Sequence, residues 1–98
     1  MLIKIHKAYR DVVAICDSEL LGKYFEEGRF QLHLKESFYK GEEVCEEELI
    51  QIIARLAKED ATFNIVGKKS VQAAIKAGLV SESETKKIQE IPFALVLS

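Results

Sequence analysis

The spacing of apolar positions along the chain switches repeatedly between a period of two and one near 3.6, and each switch marks an element. Ile3 and Ile5 alternate with Lys4 and His6, so residues 1–8 read as a strand with one wet face. After the polar break Tyr9-Arg10-Asp11, Val12–Cys16 is apolar on both faces, as a central strand is, and the short connection makes the pair a hairpin. Asp17 and Ser18 then offer helix-start oxygens, which predicts a short helix over Ser18–Phe25 with Gly28 as a left-handed stop. Arg29–Lys35 alternates again, with Phe30, Leu32 and Leu34 toward the core and Gln31 and His33 away from it. Glu36–Val44 reads as a loop that turns at Gly41.

The second half carries the clearest helix. Leu49, Ile52, Ile53 and Leu56 fall at i, i+3, i+4 and i+7, one apolar stripe within Glu46–Glu59. Cys45 stands at its N-cap with Glu48 placed to reach back, and the acidic first turn suits the positive end of the helix dipole. Thr62–Val66 is a brief strand. Gly67 then opens a helix over Lys68–Ala77, with Val71, Ala74 and Ile75 inward and Gly78 as its cap. Ser81 and Glu84 form a capping box that predicts one helical turn over Glu84–Ile88, and Ile91–Leu97 is a closing strand begun by Pro92. The order ββαβαβ(α)β predicts an α/β (or α+β) fold: a single two-layer domain over residues 1–98 with a mixed sheet of about five strands.

Composition narrows the class. Of 98 residues, 48% are hydrophobic and 31% charged, a globular balance that supports one core. The net charge of −2 gives no general attraction to nucleic acid or to an anionic membrane. Two cysteines do not make a secreted disulfide framework, the first ten residues are too polar for a signal peptide, and no apolar run approaches the roughly 20 residues of a membrane span. The expectation is a cytoplasmic protein with reduced thiols and no membrane partner.

Candidate chemistry is sparse. His6, Cys16, His33 and Cys45 lack paired metal-ligand spacing, so neither a metal nor a cofactor is expected. Cys16 ends an apolar strand, where a thiol is usually an inert hydrophobe. Cys45 sits at a helix N-terminus, but Glu46, Glu47 and Glu48 oppose the thiolate, and no catalytic residue is assigned. The VGKKS segment lacks the upstream glycine of a phosphate loop; what remains is a weak anion site at Lys68 and Lys69 beside free helix amides. Between Glu36 and Glu48, six glutamates face one lysine, Lys40. That acidity reads as a solvated surface or as a site for Mg²⁺ or a basic partner.

Four motifs stand in order along the chain: D-x-E-L-L-G-K-x-F-x-E-G from Asp17 to Gly28, F-Y-K-G-E from Phe38 to Glu42, N-I-V-G from Asn64 to Gly67, and I-P-F-A from Ile91 to Ala94. Together they resemble the archaeal family of uncharacterised proteins known as domain of unknown function 424, over essentially the whole chain. The resemblance implies a small archaeal protein with a loose association with translation. Two positions depart from the family pattern: Phe93 stands where a His is frequent, and Lys68 where an acid is. The motifs suggest a candidate ligand-binding surface of Asp17, Glu27, Phe38, Tyr39, Gly41, Glu42, Asn64 and Gly67. The competing reading is architectural: Gly28, Gly41 and Gly67 serve turns, Phe38 packs as an anchor, and Asn64 bonds loop backbone. The expected function is a non-enzymatic interaction module for a protein partner, in the translation or RNA–protein setting that the resemblance implies, with nucleic acid held weakly through Lys68, Lys69 and Lys76. The alternative is a small-molecule or metal-binding protein, or a weak enzyme, built on Asp17, Glu27, Tyr39, Glu42 and Asn64. The pattern carries no signal for oligomeric state.

Overall fold

In the computed structural model, which describes residues 1–97, the chain forms eight strands and three helices: β1 (Leu2–His6), β2 (Asp11–Cys16), β3 (Tyr24–Glu27), β4 (Phe30–His33), α1 (Glu36–Tyr39), β5 (Glu42–Glu43), α2 (Glu46–Leu56), β6 (Ala61–Val66), α3 (Lys68–Lys76), β7 (Lys86–Ile88) and β8 (Ile91–Leu97). Six strands join in one mixed sheet, ordered β5-β1-β2-β6-β8-β7, while β3 and β4 pair only with each other. β2 and β6 run parallel; every other pair is antiparallel. The β1–β2 hairpin is as the alternation predicts, with Ile3 opposite Ile15 and Ile5 opposite Val13.

The two faces of the sheet are treated differently. On one face, α2 and α3 lay Leu49, Ile53, Leu56, Val71 and Ala74 onto Val13, Ile15, Phe63 and Ile65, and all of these are buried. Cys45 and Glu48 close the capping box that starts α2, as the sequence predicts. On the other face, the β3–β4 hairpin and α1 cover only one end of the sheet. There Leu34 and Tyr39 are buried against Leu2, Ala14, Cys16 and Val66, with Phe25, Leu32 and Phe93 around them. The molecule is therefore three layers deep at that end and two at the other.

The mixed sheet expected at about five strands is present and has six, since β5 and β7 add short edges. Three expectations are corrected. Ser18–Phe25 is not a helix. Only Ser18–Leu20 turn, as a 3₁₀ segment, and Gly22 has φ +83°, outside the helical range. Tyr24–Glu27 instead pairs with β4, and Gly28 stands at the first position of a two-residue hairpin turn with φ +61°. Glu36–Val44 is not all loop, since α1 forms where Phe38 and Tyr39 lay their rings against the sheet and β5 adds to the edge of β1. Ser81 and Glu84 do close a capping box, but on a single 3₁₀ turn at Glu82–Glu84; Lys86–Ile88 then pairs with β8 across a Gln89–Glu90 turn. Both turn residues adopt left-handed φ, +49° and +68°, as this tight hairpin requires.

Candidate functional site

Asp17 and Gly67 come from two different motifs and meet. Asp17 follows β2, is 4% exposed, and points at the first turn of α3. Its carboxylate accepts from the Lys69 amide (3.1 Å), the Ser70 amide (2.8 Å) and the Ser70 hydroxyl (2.8 Å). It acts as the N-cap of α3 from a distant part of the chain, because Gly67 at the cap position has no side chain to do so. Gly67 is required there twice over: its φ is +112°, and a Cβ would overlap the Asp17 carboxylate. Of the amides that would bind an anion at the start of α3, those of Lys69 and Ser70 are already held by the protein's own carboxylate, although the Lys68 and Lys69 side chains are exposed.

The Phe38–Glu42 motif is tied to β1. The ring of Phe38 stacks on that of His6 (centroids 4.7 Å apart, 13° between planes), and the Phe38 carbonyl oxygen lies 2.9 Å from His6 Nε2. Tyr39 meets Phe38 edge-on at 5.0 Å and is buried; burial pushes its hydroxyl up to about 12. Burial, reinforced by the neighbouring Asp17 charge, pushes the Cys16 thiol up to about 11, so Cys16 is a protonated core group. Gly41 crosses β1 so closely that a Cβ would overlap the Ile3 carbonyl. Glu42 is exposed on β5, at one edge of the sheet. Glu27 accepts from the Gln89 amide (2.7 Å) in the β7–β8 turn, at the opposite edge. Asn64 is half-buried in β6, opposite Ala14 and Leu95, on the face away from the helices.

The sequence does not single out the feature that stands out on the surface. Beyond the hairpin and α1, the second face of the sheet is uncovered. It presents Val12, Thr62 and Asn64, half-buried, and then Leu95 and Leu97, which are 68% and 74% exposed. Phe30, 53% exposed at the end of the hairpin turn, shares a cleft with Leu95 and has the Lys86 ammonium 5.9 Å from its ring. Alternation had placed Phe30 toward the core. It is exposed because the hairpin overhangs short β7 rather than the body of the sheet.

A family model described as "Protein of unknown function (DUF424)" matches residues 6–98. The chain belongs to the DUF424 family. A crystal structure of an uncharacterized conserved protein from the archaeon Methanopyrus kandleri has a TM-score of 0.87 to this chain. That likeness covers 98% of this chain and 89% of the other at 24% identity, which is a likeness of fold. No curated protein matches the chain.

Seen on this DUF424 fold, the sequence-selected residues divide. Asp17 with Gly67, and Phe38 with Tyr39 and Gly41, are brought together as joints between elements. Glu27 and Glu42 lie at opposite edges of the sheet, so Asp17, Glu27, Tyr39, Glu42 and Asn64 do not converge on one site. Among the described residues, no group of three or more His, Cys, Asp or Glu side chains is placed to hold a metal ion. The departures of the DUF424 chain are also located: Phe93 packs into the second core and Lys68 is exposed at the start of α3. Exposed leucines at alternate positions of a terminal strand were the available signal for the open face. That signal is not decisive in sequence, because an all-apolar run such as Ile91–Leu97 also suits a strand covered on both faces.

Proposed function

We propose that this protein is a non-enzymatic interaction module whose working surface is the uncovered end of its sheet, and that the surface takes a protein partner. One observation carries the reading: Leu95 and Leu97 stand side by side on that face, 68% and 74% exposed, next to Phe30. A contiguous apolar patch on an otherwise charged small domain marks a contact surface. Asn64 and Thr62 beside it supply hydrogen-bonding groups of the kind that orient a partner at the edge of an apolar contact. The setting suggested by the family resemblance is an RNA–protein assembly of translation. In that setting RNA contact is secondary, because Lys76 is held by Glu46 (3.0 Å) and, among the described residues, only Lys68 and Lys69 of the three lysines have no ion-pair partner.

The test is capture from an archaeal lysate by three immobilised chains: the natural chain, Leu95→Asp with Leu97→Asp, and Glu47→Lys as a control on α2. Proteins retained by the natural chain and the control should be lost from the double variant. Equal retention by all three, or none above background, overturns the reading. In parallel, fluorescence anisotropy of a short labelled RNA should show weak binding that falls with salt, with a log–log slope of about −2 for two phosphate contacts. Tight, salt-insensitive RNA binding would replace the protein partner with an RNA one.

A further inference from the structure

Among the described residues, strand edge is exposed on β5, on β7, and on the two strands that outrun them, β1 and β8, and these edges are not alike. β5 is two residues long and carries Glu42 and Glu43; β7 is three residues long and carries Lys86 and Lys87. Short, charged strands are how sheets guard their edges against other chains. Where β1 runs past β5 it carries Lys4 and His6, whose side chains meet the Ser37 and Phe38 carbonyl oxygens. The remaining edge is the second half of β8. β6 pairs with Phe93–Leu97, but β7 reaches only Ile91–Phe93. The direction of the free backbone groups follows from the ladder. The two-residue turn makes Ile88–Ile91 and Lys86–Phe93 the hydrogen-bonded pairs of the hairpin. On the other side the Gly67 amide donates to the Pro92 carbonyl (2.8 Å). Alternation therefore aims Ala94 and Val96 at β6, and Leu95 and Leu97 away from it, past the point where β7 ends. Both leucines present an N–H and a C=O to solvent, and Ile91–Leu97 has no charged residue.

We propose that β8 pairs antiparallel with β8 of a second copy of this chain, about a two-fold axis at Val96. Leu95 then lies opposite Leu97 of the second copy, and Leu97 opposite its Leu95. Each such pair exchanges two hydrogen bonds, and Val96 meets its counterpart in the close, non-hydrogen-bonded position between them. The occupant is a second copy because the edge is its own complement: outward donors and acceptors at i and i+2 read the same in both antiparallel directions. The leucines also form cross-strand apolar pairs on one face while no like charges meet at the seam. Pairing joins two six-stranded sheets into one and sets their uncovered faces side by side, whatever those faces bind. A strand this short buries less than the roughly 800 Å² per partner of a standard interface, so the dimer is of the weak, concentration-dependent class.

Sedimentation equilibrium of the full chain from micromolar to millimolar concentration tests this. The mass should climb from 11.1 kDa toward twice that value. Leu97→Pro deletes an outward N–H but no bond to β6, and Leu95→Lys adds charge at the seam. Each should weaken association at least tenfold while the far-UV circular dichroism and Tm stay near those of the natural chain. If Leu97→Pro fails to fold, Leu95→Lys decides. A mass of 11.1 kDa at every concentration, growth past two copies, or variants that dimerise normally would overturn the inference. A strictly monomeric chain that still captures a partner through Leu95 overturns the dimer alone and leaves the interaction reading standing.

Discussion

Replacing Asp17 by Ala removes the acceptor for three hydrogen bonds at the start of α3. The amide and hydroxyl of Ser70 are buried, and each buried group left unpaired costs about 1–3 kcal/mol. The Lys69 amide is only part-buried, so water can replace its acceptor at small cost. Against these losses, the mutant no longer holds a carboxylate out of solvent, which returns part of the difference. The net destabilisation expected is about 2–4 kcal/mol. For a domain of this size that corresponds to a fall in Tm of roughly 10–25 °C. Urea unfolding followed by far-UV circular dichroism measures it, with the midpoint falling and the slope m unchanged. Asp17→Asn keeps the shape and one acceptor but turns its NH₂ group toward an amide, so about 1–2 kcal/mol is expected. Removing the orphaned hydroxyl as well, by Ser70→Ala in the Asp17→Ala background, should cost less than the two single losses added. A loss below about 0.5 kcal/mol for Asp17→Ala would refute the claim that this carboxylate holds α3 to the sheet.

Four further expectations can be checked on the same protein. Leu56→Ala, at a position 2% exposed beneath α2, should cost about 2–5 kcal/mol in the same urea assay; a near-neutral effect would mean that the helix face is wrongly assigned. Glu90→Gly relieves left-handed backbone at a residue whose side chain has no hydrogen bond or ion pair among the described residues, and should raise Tm by a few degrees, corresponding to about 0.5–1 kcal/mol. Alkaline pH should destabilise the fold. Cys16 moves from 9.0 to about 11 and Tyr39 from 10.0 to about 12 on folding, so above pH 9.0 the native state binds more protons than the unfolded one. These two groups leave stability unchanged below pH 9.0 and lower it from there toward pH 12, with Cys16→Ala moving the onset upward; a flat profile from pH 9.0 through pH 11 would contradict the buried assignment. At pH 8 a thiol reagent should label exposed Cys45 and leave Cys16 untouched.

What the sequence determined by itself is the set of elements whose signal is local. The stripe Leu49, Ile53, Leu56 specifies α2 because residues three and four apart share a face whatever lies opposite. The doubly apolar run Val12–Cys16 specifies a central strand, and the glycines at 67 and 78 bound α3. Tertiary structure decided the rest, and each case has a physical reason. Tyr24–Glu27 became a strand because β4 was there to pair with it, while the helix-start oxygen at Asp17 was claimed by α3, whose amides are 52 and 53 residues away along the chain. Three residues at Lys86–Ile88 became an edge strand because β8 offered it a ladder. The motif residues looked like a site because polar and aromatic groups in loops suggest binding. In the fold, Asp17 caps a helix, Phe38 stacks on His6 and Gly41 lets a loop cross β1. The exposed leucines of β8 show the opposite case. Alternation says which side chains share a face, but only the extent of the neighbouring strands and of the hairpin above decides whether that face is core or surface.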